Sequence, residues 1–327
     1  MKTVRNKFYR DGSFHHIYGK SINGSVLFYR TEDYLFFYTL FSVLTRRYHI
    51  ITEAFCIMFN HYHACSKART HATLKAFLRD LSSIFTKGYN EEYGLTGKLL
   101  IPCGYVPKTS GKLHRSCLIY IVNNPAAGKL VKSAIMYKWN LLAYLQSDHP
   151  FSEKLVKRNC RFKMRNALAL VDGSFKRGQS LNYKLLERVF DGLNQIEKAQ
   201  ITDYIIVKYF FMDKSSFISH FGSLDNALSA IYSTSGSEND FYEPWEDYSP
   251  YLSMLLVIMK QWKRNYRFHE MPVKDLMILR RKLSIIPGAT KMHVERFLRC
   301  QAINDGRDLY GIDSNLIRHS LPLKLKG

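Results

Sequence analysis

The sequence predicts an α+β fold followed by an all-helical C-terminal region. Two observations carry that reading. Up to about residue 146, short strand-like runs alternate with amphipathic helical patterns, and from residue 150 onward the patterns are helical. The chain has 327 residues, enough for two or three domains and a sizeable core.

The elements follow in order. Residues 14–30, "FHHIYGKSINGSVLFYR", read as extended chain broken at Asn23-Gly24, a hairpin-type turn signal. Residues 31–48 read as a helix. Thr31 is the expected N-cap, Glu32 and Asp33 suit its first turn, and Arg46 and Arg47 suit its last. Phe55 to Phe59 form a short apolar run expected as a buried strand. Residues 73–94 give a second helix, with Leu74, Phe77, Leu78, Leu81, Ile84 and Phe85 as its apolar stripe. Residues 94–112 are rich in Gly, Pro and Lys and read as a looser stretch. A helix over "KLHRSCLIYIVNNP" is expected to end at Pro125, because proline restricts the residue before it. "WNLLAYLQ" closes the first domain near residue 146.

The predicted organisation is therefore residues 1–148 as one α+β domain and 149–235 as a helical middle region. An acidic linker or loop follows at 236–250, then a helical C-terminal region at 251–327. In that last region "DLMILRRKLSIIPGATKMHVERFLR" has the outline of a helix-turn-helix, turning at Pro287-Gly288 with Thr290 capping the second helix. A plain helical hairpin fits the same residues.

Charge narrows the partners. Lys and Arg number 48 against 27 Asp and Glu, for a net charge of +21. Residues 1–150 hold 20 basic and 8 acidic side chains, net +12. Such an excess favours a polyanion, nucleic acid or an anionic surface. The six cysteines include no C-x-x-C pair, which argues against a zinc knuckle. The N-terminal stretch has no apolar signal-peptide core, and "YLFFYTLFSVL" is too short to span a bilayer. A reducing, cytoplasmic compartment and no membrane partner are expected.

Two stretches carry chemistry. In "AFCIMFNHYHACSKA", residues 54–68, His61 and His63 are two apart. Extended backbone puts such a pair on one face, which suits a shared metal ion, and Cys65 joins them if the strand runs on. Polar residues at a strand end show the same pattern. In "LIYIVNNP", residues 118–125, a helix places Tyr120 and Asn124 one turn apart on one face. Tyrosine is a poor nucleophile at its ordinary pKa near 10. A divalent cation on the electrophile makes its attack productive. His61, His63 and Asn124 could hold Mg²⁺ or Mn²⁺, with Tyr120 attacking. Alone, Tyr120 also reads as a core aromatic, and Asn124 as a residue near a helix end.

These motifs resemble the single-tyrosine HUH transposases, the REP-associated tyrosine transposases or insertion-sequence-200-like transposases. The resemblance spans residues 14 to 145 in order. "IMFNHYHA" is similar to the family's Met-Pro-Asn-His-x-His, and "SSIFTKGYNEEYG" to the end of its long helix. "YIVNNPAAGKLV" resembles its catalytic helix and "YKWNLLAY" its closing motif. The chain departs at Phe59, where the family has Pro, and at Tyr62, where it has an aliphatic. The family's Gly-His-x-Phe-x-x-Arg-Phe stretch is only dimly matched after residue 94.

The resemblance implies an antiparallel sheet flanked by helices, HUH endonuclease-like. It implies that Tyr120 attacks a DNA phosphate to give a 5′-phosphotyrosine and a free 3′-OH. His61, His63 and Asn124 would hold the divalent metal. The substrate would be single-stranded DNA, often beside a hairpin, handled by a monomer or homodimer associated with the nucleoid. Lys67, Arg69, Lys75, Arg79, Lys112, Arg115, Lys291 and Arg296 are candidate DNA contacts. Two alternatives stand beside this. One is a domesticated, catalytically silent DNA-binding protein. The other is a zinc hydrolase or deaminase using His61, His63 and Cys65, although the pairing of H-x-E with P-C-x-x-C and the H-E-x-x-H motif are absent.

Overall fold

The structure is a computed structural model. It describes residues 7–22, 26–28, 30–233 and 272–291, and also residues 250, 253–254, 257, 293–294 and 297–298. Four antiparallel strands form one sheet in the order β2-β3-β1-β4. They are β1 (Phe14–Lys20), β2 (Ile51–Ile57), β3 (His61–Lys67) and β4 (Gly104–Lys108). The α+β class and the antiparallel sheet flanked by helices are as expected.

Alternation along β3 decides what each face holds. Tyr62, Ala64 and Ser66 point to one side. There Tyr62 meets Phe37 and Phe41 of α1 (Thr31–Arg47), with ring centroids 4.8 and 6.4 Å apart. Phe41 in turn meets Phe77 of α2 (His71–Tyr93) at 5.2 Å. His61, His63 and Cys65 point to the other side, which α3 (Gly111–Ala127) covers. The bulk of Tyr62 between the histidines thus belongs to the α1 core. Gly19, its register partner on β1, makes room for it, since a Cβ there would overlap the Tyr62 ring.

Several expected boundaries move. The apolar run at 55–59 does not carry the histidines on one strand. β2 ends at Ile57, residues 58–60 turn, with Met58 N donating to His61 O at 2.8 Å, and His61 opens a strand of its own. The Asn23-Gly24 turn lies outside the described residues, and β1 pairs with β3 and β4 rather than with residues 26–28. Thr31 is the first residue of α1 and Arg30 is the N-cap. Asp33 closes that end by accepting from Arg30 N at 2.8 Å. Ile84 leaves the predicted stripe of α2 and is exposed, while Tyr89 and Tyr93 extend the buried face. The loose stretch after residue 94 contains β4. Pro125 sits inside α3, which runs on to Ala127. In a last turn proline removes one helical hydrogen bond, and Gly128 N still reaches Asn124 O at 2.9 Å.

The closing motif bolts the domain together. Tyr137 Oη donates to Ile57 O at 2.8 Å, and Trp139 stacks on Tyr34 at 4.5 Å. The Asn140 amide donates to Val122 O and Ala134 O. Beyond it come α4 (Phe162–Lys176), α5 (Tyr183–Phe190), α6 (Gln195–Lys208), α7 (Lys214–Ser219) and α8 (Leu224–Ser233). They pack on the same core: Tyr38 Oη donates to Ile206 O at 2.8 Å, and Asp213 N to Thr52 O at 2.7 Å. Near the C-terminus, α9 (Val273–Ser284) is followed by a turn at Gly288, φ 78°. Thr290 Oγ1 there accepts from His293 N at 3.2 Å, as a cap would. Residues 234–249 of the acidic stretch lie outside the described residues.

Candidate functional site

The site is built where α3 crosses the sheet. α3 runs antiparallel to β3, and the two periods nearly match. Two strand residues advance about 6.7 Å and four helix residues about 6 Å. His61 therefore meets Asn124, His63 meets Tyr120, and Cys65 meets the turn holding His114 and Cys117. The expected four residues converge. The His61 and His63 rings are 4.9 Å apart, and the His63 and Tyr120 rings 5.4 Å. His61 is within hydrogen-bonding reach of Asn124.

Two residues not singled out from the sequence complete this cluster. His16 on β1 shares a 2.9 Å hydrogen bond between its Nε2 and His63 Nδ1, and its ring lies 5.6 Å from that of Tyr120. Asn60 Oδ1 is 2.6 Å from His61 Nδ1. With both Nδ1 atoms held from behind, Nε2 is the nitrogen that each ring would offer to a metal ion, as supporting hydrogen bonds arrange in metal sites. The signal for His16 was its alternation with Tyr18 in "FHHIY". Both side chains face α3, and Tyr18 fills the space beside Gly104, where a Cβ would overlap its ring. Burial, and next the neighbouring His63, hold the pKa of His16 and of His61 well below the ordinary imidazole value. Both rings are neutral near pH 7, the form that binds metal. The N, N, O donor set fits a divalent ion.

The cluster is closed to solvent. Tyr120 is 2% exposed, and His61, His63 and Asn124 are equally buried. Beside it, α8 packs on α3, with Asn123 Nδ2 donating to Ile231 O at 2.7 Å.

The candidate cations fall elsewhere. Lys67 stands at the far end of β3 from His61, and Lys112 and Arg115 in the first turn of α3, at that same far end. Arg69, Lys75, Lys112, Arg115 and Lys291 are exposed. Arg79 is engaged by Asp80 at 3.0 Å. The side chain of Arg296 lies outside the described residues. Among the described residues, two cations that sequence reasoning missed lie near the cluster. Lys20 is the register partner of His61, and Lys108 on β4 is close enough to depress the His16 pKa.

Cys65 does not join His61 and His63. Among the described residues, the group of His, Cys, Asp or Glu whose ligand atoms lie within 4.8 Å of one another is Glu53, Cys65 and His114, all buried. That group could hold a metal ion. Cys56, Cys65, Cys103 and Cys117 are buried free thiols, as expected of reduced core cysteines. No helix among the described residues is long and apolar enough to cross a membrane.

No family model and no curated protein matches the chain. Among solved structures it is similar to that of a REP-associated tyrosine transposase bound to a REP hairpin. The identity is 16%, the likeness covers 44% of this chain and 84% of that one, and the TM-score is 0.38.

Proposed function

We propose that the protein is a tyrosine-nucleophile DNA strand transferase, with its chemistry in residues 1–148 and single-stranded DNA beside a hairpin as substrate. One observation carries the reading. Tyr120 stands edge-on to His63 and His16, and Asn124, one turn further on α3, meets His61. A nucleophile, two imidazoles and an amide oxygen thus share one small space, in the order that the family resemblance gives them along the chain.

In this reading the Tyr120 phenol loses its proton and its oxygen bonds to a backbone phosphorus. The bond from phosphorus to the 3′ oxygen breaks, and that oxygen leaves as a 3′-OH after taking up a proton. The number of phosphoester bonds is conserved, so the link can be reversed without a nucleotide cofactor. Among the chain's own residues, His16 and Asn60 hold the two imidazoles in orientation. Lys20 and Lys108 supply positive charge beside them. Mg²⁺ or Mn²⁺ held by His61, His63 and Asn124 would neutralise charge on a non-bridging phosphate oxygen.

The test is covalent trapping. The full chain is mixed with labelled single-stranded DNA from the ends flanking its own gene, with Mn²⁺ or Mg²⁺, and run on a denaturing gel. A metal-dependent shifted band is expected, reduced at least about a thousand-fold by Tyr120→Phe and lost in a His61→Ala, His63→Ala double variant. An undiminished adduct in Tyr120→Phe would sink the assignment.

Burial of all four residues favours a second reading, a silent DNA-binding protein whose cleavage centre stays shut. Salt-dependent DNA binding with no adduct on any candidate end would select it.

A further inference from the structure

A second polar cluster lies on the same side of the sheet, two residues further along β3. It starts from a bulge. The β2–β3 register shifts between Thr52 and Ala54, so Glu53 is an extra residue in β2. Such a residue re-aims its side chain. Here the carboxylate is fully buried and reaches α3, with Oε2 2.5 Å from His114 Nε2. Cys65 Sγ lies 3.4 Å from that same nitrogen.

The two carboxylate oxygens are treated differently. Oε1 accepts from the Ser216 hydroxyl at the start of α7 and lies 3.0 Å from Nε2 of His220, just past its end. Oε2 faces His114 Nε2 at 2.5 Å, the nitrogen that the Cys65 thiol also approaches. A buried carboxylate needs a cation or a full set of donors. Imidazolium neighbours would supply charge, yet they would not explain a thiol and a carboxylate oxygen converging on the same Nε2. A metal ion placed among the three atoms satisfies all of them together. Bonds of about 2.0–2.3 Å set tetrahedral ligand atoms about 3.3–3.7 Å apart. The observed separations, from 2.5 Å up to at most 4.8 Å, bracket that spacing.

We propose that Glu53, Cys65 and His114 form a binding site for a transition metal of zinc's class, separate from His61, His63 and Asn124. One sulfur, one imidazole nitrogen and one carboxylate oxygen are a borderline-soft donor set suited to zinc rather than magnesium. Ser216 and His220 hold the carboxylate from behind, the arrangement that orients metal ligands. The site clips β2, β3 and α3 together, and its supporting layer ties them to the α7 segment. It stands independently of the strand-transfer reading.

Cobalt spectroscopy of the full chain, stripped with a chelator, tests it. One equivalent of Co²⁺ should give a thiolate-to-cobalt charge-transfer band that Zn²⁺ displaces. The band should persist in the His61→Ala, His63→Ala variant, whose altered site contains no thiolate. Cys65→Ser should abolish it, and Glu53→Gln, which removes a ligand rather than an outer partner, should weaken metal affinity at least about a hundred-fold. X-ray absorption on the zinc-loaded unmodified chain covers the case where the Cys65 variant does not fold. A shell of one sulfur with nitrogen and oxygen supports the site, and any other composition overturns it. A band that survives Cys65→Ser, or no band from the folded protein, overturns it as well.

Discussion

The two clusters on the α3 side of the sheet share a scaffold and differ in what they do with it. Both pair β3 residues with an α3 turn, one through His61 and His63, the other through Cys65. The first gathers imidazoles, an amide and a phenol, with His16 and His61 held neutral at pH 7, and buries them together. The second buries a carboxylate whose pKa stays below the ordinary value. Burial pushes it up, but hydrogen bonds from His114, Ser216 and His220 pull it down further. The lesson is about charge. A neutral cluster tolerates loss of a member, whereas a buried anion holds its surroundings in place.

The largest expected effect comes from removing that anion. Glu53→Ala strands His114, His220 and Ser216 around a cavity and should cost about 3–5 kcal/mol in chemical denaturation of the metal-free protein. Asn124→Ala, in the first cluster, should cost about 1–2 kcal/mol. Equal losses would erase the distinction.

Both clusters were partly legible in the sequence, and what was missed has a common cause. Period two placed His61 and His63 side by side, and one helical turn joined Tyr120 to Asn124. Those relations are local. Which strand lies beside β3 is not local, so His16 surfaced only with the β1–β3 register, in which Tyr18 faces His63 and His16 faces Cys65. Glu53 was invisible for a sharper reason. A bulge breaks the alternation that strand reading depends on, and its partner His220 lies 167 positions away. β4 escaped because Gly104 and Pro107 make "GYVPK" look like loop. Gly104 is required by packing, since it faces Tyr18 across the β1–β4 pair.

That glycine separates the clusters by a different route. Gly104→Ala drives a Cβ into the Tyr18 ring, and Tyr18 leans on His16 with ring centroids 5.5 Å apart. Overpacking of this kind should cost about 1–3 kcal/mol. It should disturb the imidazole resonances of His16 and His63 while leaving those of His114 and His220 in place. Equal perturbation of all four rings in a nuclear magnetic resonance titration would mean that the clusters are one coupled unit.

The smallest effect is also the most direct comparison, because pH addresses both clusters in one molecule. In the metal-free protein His16 and His61 have folded pKa values below 6.5, from burial first and His63 next. The unfolded chain then binds protons near pH 6.5 that the folded chain refuses. Their contribution to stability is complete above that pH and declines as pH falls toward the folded values. Between pH 7 and pH 6 each ring can remove at most about 0.7 kcal/mol, the limit set by the unfolded imidazole alone. Glu53 has the same sign at a lower pH. Its depressed pKa gives stability that is present above the ordinary 4.5 and is lost as pH falls below it. Denaturation curves in chelator should therefore weaken in two stages, first near pH 6.5 and again below 4.5. Phe substitution at His16 should shrink the first stage alone. A Glu53→Gln variant should shrink the second alone, because an amide cannot titrate in that range. If either substitution flattened both stages, the two clusters would be exchanging protons through α3 rather than merely sharing it.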